Sequence, residues 1–170
     1  MTTAPAPRTQ PGFTLLEMLV VLGMIATLSL IALPSYLDRI VRQQIEAALP
    51  LAEVAKGPIG AAWALTQAFP ADNAAAGLPA ADKIVANYVS AVTLRDGAID
   101  ITFGNNVNGA IRSKVLTLRP AVVEDTPVVP VAWICGNGRV PDKMTVRGDN
   151  RTSVPPAFLP FACVGGKAGP

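Results

Sequence analysis

From Phe13 to Leu33 the chain is apolar at almost every position, and Glu17 is the one charged residue in the run. As a helix rising about 1.5 Å per residue, this run would extend about 30 Å, the thickness of a bilayer's hydrocarbon core. A carboxylate inside such a span costs roughly 2.5–3.5 kcal/mol by insertion scales, so Glu17 is expected to be there for a partner. After Pro34 the pattern turns amphipathic: Leu37, Val41, Ile45, Ala48 and Ala52 recur at spacings of four and three, with Asp38, Arg39, Arg42, Glu46 and Glu53 at polar positions. That is one face of a helix. The two patterns together predict a long helix that begins in a membrane and continues into a water-facing domain. Pro34 cannot bond the carbonyl of Leu30 and crowds that turn, so a kink is expected there. Pro50 removes the bond to Glu46 and makes a second weak point; Gly57-Pro58 is a third, ending the helix or bending it.

From Phe69 to Asp82 the composition shifts to Pro, Ala, Asn and Gly, a loop leading from helix to sheet, and Asp82 to Val85 suits a short helical turn. Strand patterns follow. Val89–Leu94 and Ala98–Phe103 flank Arg95-Asp96-Gly97, and Asp-Gly between β-rich runs signals a hairpin. Ile99, Ile101 and Phe103 alternate with Asp100 and Thr102, which predicts one buried face. Gly104 to Gly109 is a turn, Ser113–Leu118 a third strand and Val128–Cys135 a fourth, with Pro130 placing the start of the last at an edge or bulge. Short connections favour antiparallel pairing. The predicted architecture is α+β: a helical spine packed against an antiparallel sheet of about four strands. From Gly136 onward Asn137-Gly138, Pro141, Gly148, Pro155-Pro156 and Pro160 mark loops, and the tail from Val164 to Pro170 reads as mobile.

The stretch Gly12-Phe13-Thr14-Leu15-Leu16-Glu17 resembles the N-terminus of type IV pilins: a short polar leader ending in Gly, then Phe, then Glu at the fifth mature position. The resemblance continues through Pro34-Ser35-Tyr36 and Arg42-Gln43-Gln44-Ile45-Glu46-Ala47. It returns in Val131-Ala132-Trp133-Ile134-Cys135-Gly136 and in Leu159-Pro160-Phe161-Ala162-Cys163. The N-terminal motif is specific, whereas the middle of the chain matches only in spacing and texture. The resemblance implies cleavage by a prepilin peptidase between Gly12 and Phe13, followed by N-methylation of Phe13. It implies a leader over 1–12, a transmembrane and filament-core helix over 13–34, and a globular head over 35–170. It implies a helix running to Leu65 or Thr66 and an exposed C-terminal loop closed by a disulfide. Glu17 would be tied to assembly, its carboxylate meeting the Phe13 amine of an adjacent subunit; the alternative is a protonated Glu17 that merely tolerates burial. Gly12 would let the peptidase approach its carbonyl closely. A secretory signal peptide would have a shorter apolar core and a small-residue cleavage site after it. A plain membrane anchor would not need Glu17. The leader has Arg8 as its only basic residue, a weak charge signal, so orientation rests on the motif.

The chain has 170 residues and a net charge of +2, which suits one globular domain plus an anchor and gives no nucleic-acid footprint at whole-chain level. Histidine is absent, which removes the commonest general base and metal ligand. The two cysteines, Cys135 and Cys163, read as a disulfide in an exported domain; free cytoplasmic thiols are the alternative. A zinc site needs about four ligands, and no further Cys or His could complete one. No nucleophile has a histidine to activate it, and no Gly-rich phosphate loop appears, so neither enzyme activity nor a cofactor is expected.

Between the cysteines, Arg139, Lys143, Arg147 and Arg151 stand against Asp142 and Asp149. A basic ridge for DNA is one reading and a solvated mixed-charge loop the other. Arg147-Gly148-Asp149 matches an integrin-binding tripeptide and Asn150-Arg151-Thr152 a glycosylation sequon, both short enough to arise by chance. The function implied is the structural subunit of a type IV pilus: a homo-oligomer in a helical filament serving adhesion, motility or related surface functions. Its precursor would lie in the inner membrane, meet the prepilin peptidase and the pilus assembly machinery, and become an extracellular filament touching host or abiotic surfaces. The alternatives are a DNA-binding minor pilin for uptake and a type II secretion pseudopilin. The C-terminal disulfide loop argues against the pseudopilin reading.

Overall fold

A computed structural model describes residues 12–165, except for the side chains of residues 31–35. The leader before Gly12, including Arg8, and the tail beyond Gly165 lie outside the described residues. Residues up to Leu37 and residues from Asp38 onward form two separate compact units.

Helix α1 spans Leu15–Ala48, a single-turn 3-10 helix follows at Leu49–Ala52, and α2 runs Glu53–Thr66. Pro34 lies inside α1. Pro50 stands at the start of the 3-10 turn, where the Glu53 amide donates to the Pro50 carbonyl. The weak point read from the sequence is thus a tightened turn and not a break: tighter bonding absorbs the hydrogen bond that Pro50 cannot make. Gly57-Pro58 does not end the helix, since Pro58 is inside α2. The carbonyl it leaves unbonded belongs to Val54, on the exposed face where water can reach it. α2 ends at Gln67, which takes the left-handed conformation (φ 53°) and donates its amide to Trp63 O at 2.9 Å.

In the second unit the buried helical positions are Val41, Ile45, Ala48, Ala52, Ala55, Ile59 and Trp63. The spacing of four and three continues across the 3-10 turn, so one face stays turned toward the sheet. Leu37, read as the head of this stripe, is 54% exposed. The alanines in the middle let helix and sheet approach closely.

The sheet comprises β1 (Val89–Arg95), β2 (Ala98–Phe103), β3 (Val115–Val122) and β4 (Ala132–Cys135), in that order and antiparallel throughout. The β1–β2 turn has Asp96 at φ 44° and Gly97 at φ 82°, the conformation that two-residue hairpins favour. A Cβ on Gly97 would meet Phe69 Cγ at 2.7 Å. Phe69 in turn stacks on Trp63 with centroids 4.9 Å apart, so the chain leaving α2 folds over the hairpin tip. There the Asp96 and Gly97 amides donate to Ala71 and Pro70 carbonyls, both at 3.1 Å. The loop from Phe69 matches its sequence reading, and the expected helical turn is a 3-10 turn at Ala81–Lys83.

Three strand expectations need correcting. β3 runs four residues further than Leu118, through Pro120. Pro120 lies past the last β2 partner, Ile99 opposite Leu118, where no β2 carbonyl waits for an N–H. β4 begins at Ala132 and not at Val128, because Pro127 to Val131 form a loop around two prolines. A fifth strand, β5 (Thr145–Val146), pairs with the end of β3 at Ala121 and Val122. It is only two residues long, too short for any periodicity. The alternation in β2 holds for Ile99, Ile101 and Phe103, all buried, but Asp100 is buried too, at 2% exposure. The outer face of the sheet is covered there by the chain following β5.

Candidate assembly site

α1 begins at Leu15 because Thr14 caps it: the Thr14 hydroxyl accepts a hydrogen bond from the Glu17 amide at 3.2 Å. Thr14-Leu15-Leu16-Glu17 has the spacing of a capping box, and Glu17 occupies the first turn. The positive end of the helix dipole favours a carboxylate at that position. From the sequence Glu17 is expected either to meet the amine of an adjacent subunit or to stay protonated, and neither expectation involves its own helix. The cap, legible as Thr-x-x-Glu before an apolar run, is a local support that both miss.

Around Glu17 the helix shows apolar side chains on every side, among them Leu15, Leu16, Leu19, Leu22, Met24, Leu28 and Leu30, and Phe13 just before it is 77% exposed. A helix that is apolar all round requires an apolar environment or packing partners. The hydroxyls of Thr27 and Ser29 bond back to the helix: Thr27 donates to Met24 O and Ser29 to Ile25 O, each at 2.8 Å. These bonds satisfy the polar groups without water. Among the described residues, no helix is long and apolar enough to cross a membrane. The apolar segment read in the sequence continues into residues 31–35, whose side chains lie outside the described residues. Gly12 precedes the helix in open backbone, where an added Cβ would meet nothing within 4 Å.

In the second unit, Cys135 and Cys163 form a disulfide with an S–S distance of 2.05 Å. It joins the end of β4 to a 3-10 turn at Phe161–Cys163. The four basic residues of the enclosed loop are placed unequally. Arg139 and Lys143 are exposed. Arg147 pairs with Glu124 at 2.7 Å. Arg151 lines a small recess with Arg95, Asp96, Ala98, Asp100 and Asp149. Burial, then the nearby Arg151 charge, hold the Arg95 guanidinium below its ordinary pKa, with Asp149 acting the other way. Of the four charges, Arg147 is thus paired with a carboxylate of the head itself, and Arg151 shares its recess with Asp96, Asp100 and Asp149. Arg147-Gly148-Asp149 is not a free tip, since a Cβ on Gly148 would lie 2.8 Å from Ala98 Cβ. The sequon's Asn150 is also engaged: its amide nitrogen donates to Gly136 O at 3.1 Å and Asn137 Oδ1 at 2.8 Å. Among the described residues, no group of His, Cys, Asp or Glu could hold a metal ion.

The outward face of the second helix is also apolar. Pro50, Val54, Gly57, Ala61 and Ala64 are exposed at spacings of four and three, and Leu65 beside them is 84% exposed. Apart from Glu53, Lys56 and Thr66, α2 is built of Gly, Pro and apolar residues. Gly57, Gly60 and Ala64 form one wall of a groove completed by Pro127–Val131 and Trp133. Lys56 reaches over the Trp133 ring at 5.8 Å.

Residues 41–164 match the family described as pilin (bacterial filament), and residues 7–33 match the prokaryotic N-terminal methylation motif. A fimbrial protein of Neisseria meningitidis serogroup B is 30% identical over 85% of this chain and 83% of its own length. The type IV major pilin protein PilE of Neisseria gonorrhoeae is 33% identical, over 75% of this chain and 74% of its own. The fimbrial protein EcpC of Eikenella corrodens is 36% identical over 75% and 83%.

Proposed function

Because this chain belongs to the pilin family of bacterial filaments and is a structural subunit of a type IV pilus, we propose that it is cut between Gly12 and Phe13, methylated at Phe13, and assembled through Glu17. The observation that carries this reading is the coincidence of the methylation motif with a capped helix whose first turn holds Glu17. Cleavage at Gly12 leaves Phe13 with a positive amine beside an apolar helix. An unpaired carboxylate in an apolar packing is costly, and the amine of an adjacent subunit would neutralise it. Before assembly the apolar run 13–34 resides in the inner membrane; afterwards the same side chains pack as the filament core. The head, 35–170, stands on the filament surface, reached through the assembly machinery of the cell.

The apolar outer stripe of α2 supports a second contact in the filament. It takes another copy of this chain, since the helix leads on from α1 without an intervening loop and a helix with two apolar faces needs cover on both. The likeness to a major pilin supports the filament reading over a DNA receptor, and the disulfide-bonded head supports it over a pseudopilin. No catalytic role belongs to this reading.

The test is Glu17→Val in the full chain. The variant is expected to be processed and retained in the membrane, because the span becomes more apolar. Surface filaments, counted by electron microscopy, are expected to fall to a small fraction of wild type. Wild-type filament yield would refute the Glu17 pairing.

A further inference from the structure

Asp100 lies in the middle of β2 on the face of the sheet turned away from the helix, and yet it is 2% exposed. A side chain on the outer face of an antiparallel sheet ordinarily meets water. Its Oδ1 accepts a hydrogen bond from the Thr117 hydroxyl at 2.6 Å, and its Oδ2 pairs with the Arg95 guanidinium. The Thr117 hydroxyl, itself buried, accepts a hydrogen bond from the Arg151 amide at 3.0 Å. One hydroxyl thus joins a buried carboxylate in the sheet to the backbone of the disulfide loop.

The loop follows this relay across the sheet. Arg147 N donates to Pro120 O at 2.9 Å. Gly148, at φ 80°, passes so close to Ala98 that no Cβ fits. Thr117 N then donates to Thr152 Oγ1 at 3.1 Å. Ser153 N donates to Val115 O, and Val115 N to Ser153 Oγ, both at 2.9 Å. The run from Arg147 to Ser153 therefore crosses from the far end of β3 to its near end over the outer face.

We propose that residues 147–153 form a strap locked to the sheet by the Asp100–Thr117–Arg151 relay, independently of the Cys135–Cys163 bond. The disulfide fixes the ends of the loop, and the relay fixes its middle. Opening the strap would expose a carboxylate and a hydroxyl that are otherwise paired. Removing the hydroxyl leaves both the Asp100 oxygen and the Arg151 amide without partners, the costly outcome for buried polar groups. The relay also accounts for the tripeptide at 147–149: its glycine serves a close crossing.

Limited trypsin cleavage of the full chain in detergent tests the strap, because Arg147 and Arg151 lie on it while Arg139 and Lys143 lie in the same loop outside it. With the disulfide reduced, cutting at Arg139 and Lys143 is expected to accelerate while Arg147 and Arg151 stay slow. With the disulfide intact, Thr117→Val is expected to raise cutting at Arg147 and Arg151 at least about tenfold relative to Arg139 and Lys143, since proteolysis tracks the open population. Thr117→Ser keeps the hydroxyl and is expected to behave as wild type. Gly148→Ala places a methyl between the strap and Ala98, removes no hydrogen bond of the sheet and is expected to open the strap as well, so the question stays decidable if Thr117→Val unfolds the sheet. Cutting at Arg151 that follows the disulfide and ignores both Thr117→Val and Gly148→Ala would overturn the proposal.

Discussion

Thr14 and Gly97 show how single positions set local structure here. The Thr14 hydroxyl starts α1 and places Glu17 where the helix dipole supports a carboxylate. Replacing it by valine removes an N-cap, typically worth about 1 kcal/mol. Thr14→Val is expected to fray the first turn, seen as faster amide exchange at Leu15 to Met18 in detergent, with the rest of α1 unchanged. Gly97 has both a left-handed conformation and a phenyl ring where a Cβ would go. Gly97→Ala is expected to destabilise the head by about 1–3 kcal/mol, read as a lower denaturant midpoint with unchanged slope. At the cleavage position, Gly12→Val is expected to block maturation. The readout is the electrophoretic mobility of the chain, and normal processing would remove the leader assignment. Of these positions, the Asp-Gly turn and the Gly-Phe junction were legible in the sequence because their chemistry is local. The clash with Phe69 was not, because it comes from a residue 28 positions earlier.

At the scale of elements, the helix was the most legible part. Its buried face from Val41 to Ala52 follows from periodicity, and the extension to Thr66 came with the family resemblance. Pro50 and Gly57-Pro58 left the continuation open in the sequence. The structure resolves it because the stripe Ala55, Ile59 and Trp63 is held by the sheet, and packing outweighs a missing bond at each proline. Ile59→Ala is therefore expected to cost about 2–5 kcal/mol of head stability. On the opposite face, Ala61→Glu is expected to leave head stability within about 0.5 kcal/mol, the usual range for a surface substitution. The same variant is expected to lower filament yield by burying a charge between copies. Wild-type filaments from Ala61→Glu would remove the second contact.

At the scale of the whole molecule, the disulfide and the sheet divide the work of holding a loop-rich C-terminal segment. Removing both cysteines together, Cys135→Ser with Cys163→Ser, is expected to cost roughly 3–4 kcal/mol in the chain-entropy model, read from denaturant unfolding. An unchanged midpoint would mean that the bond adds nothing to the folded head. The apolar run with its single carboxylate, the amphipathic helix, the β1–β2 hairpin and the α+β class were all readable from the order of residues. Each is written in a period or a short motif that needs no distant partner. The length of β3 past Pro120, the two-residue β5 and the burial of Asp100 were not readable in this way and came from the folded chain. Those depend on where a segment with no periodicity crosses the sheet, and a crossing is fixed by hydrogen bonds between residues as far apart as Asp100, Thr117 and Arg151. Alternation could place Asp100 on the outer face of β2; whether that face was wet or covered was a property of the loop laid over it.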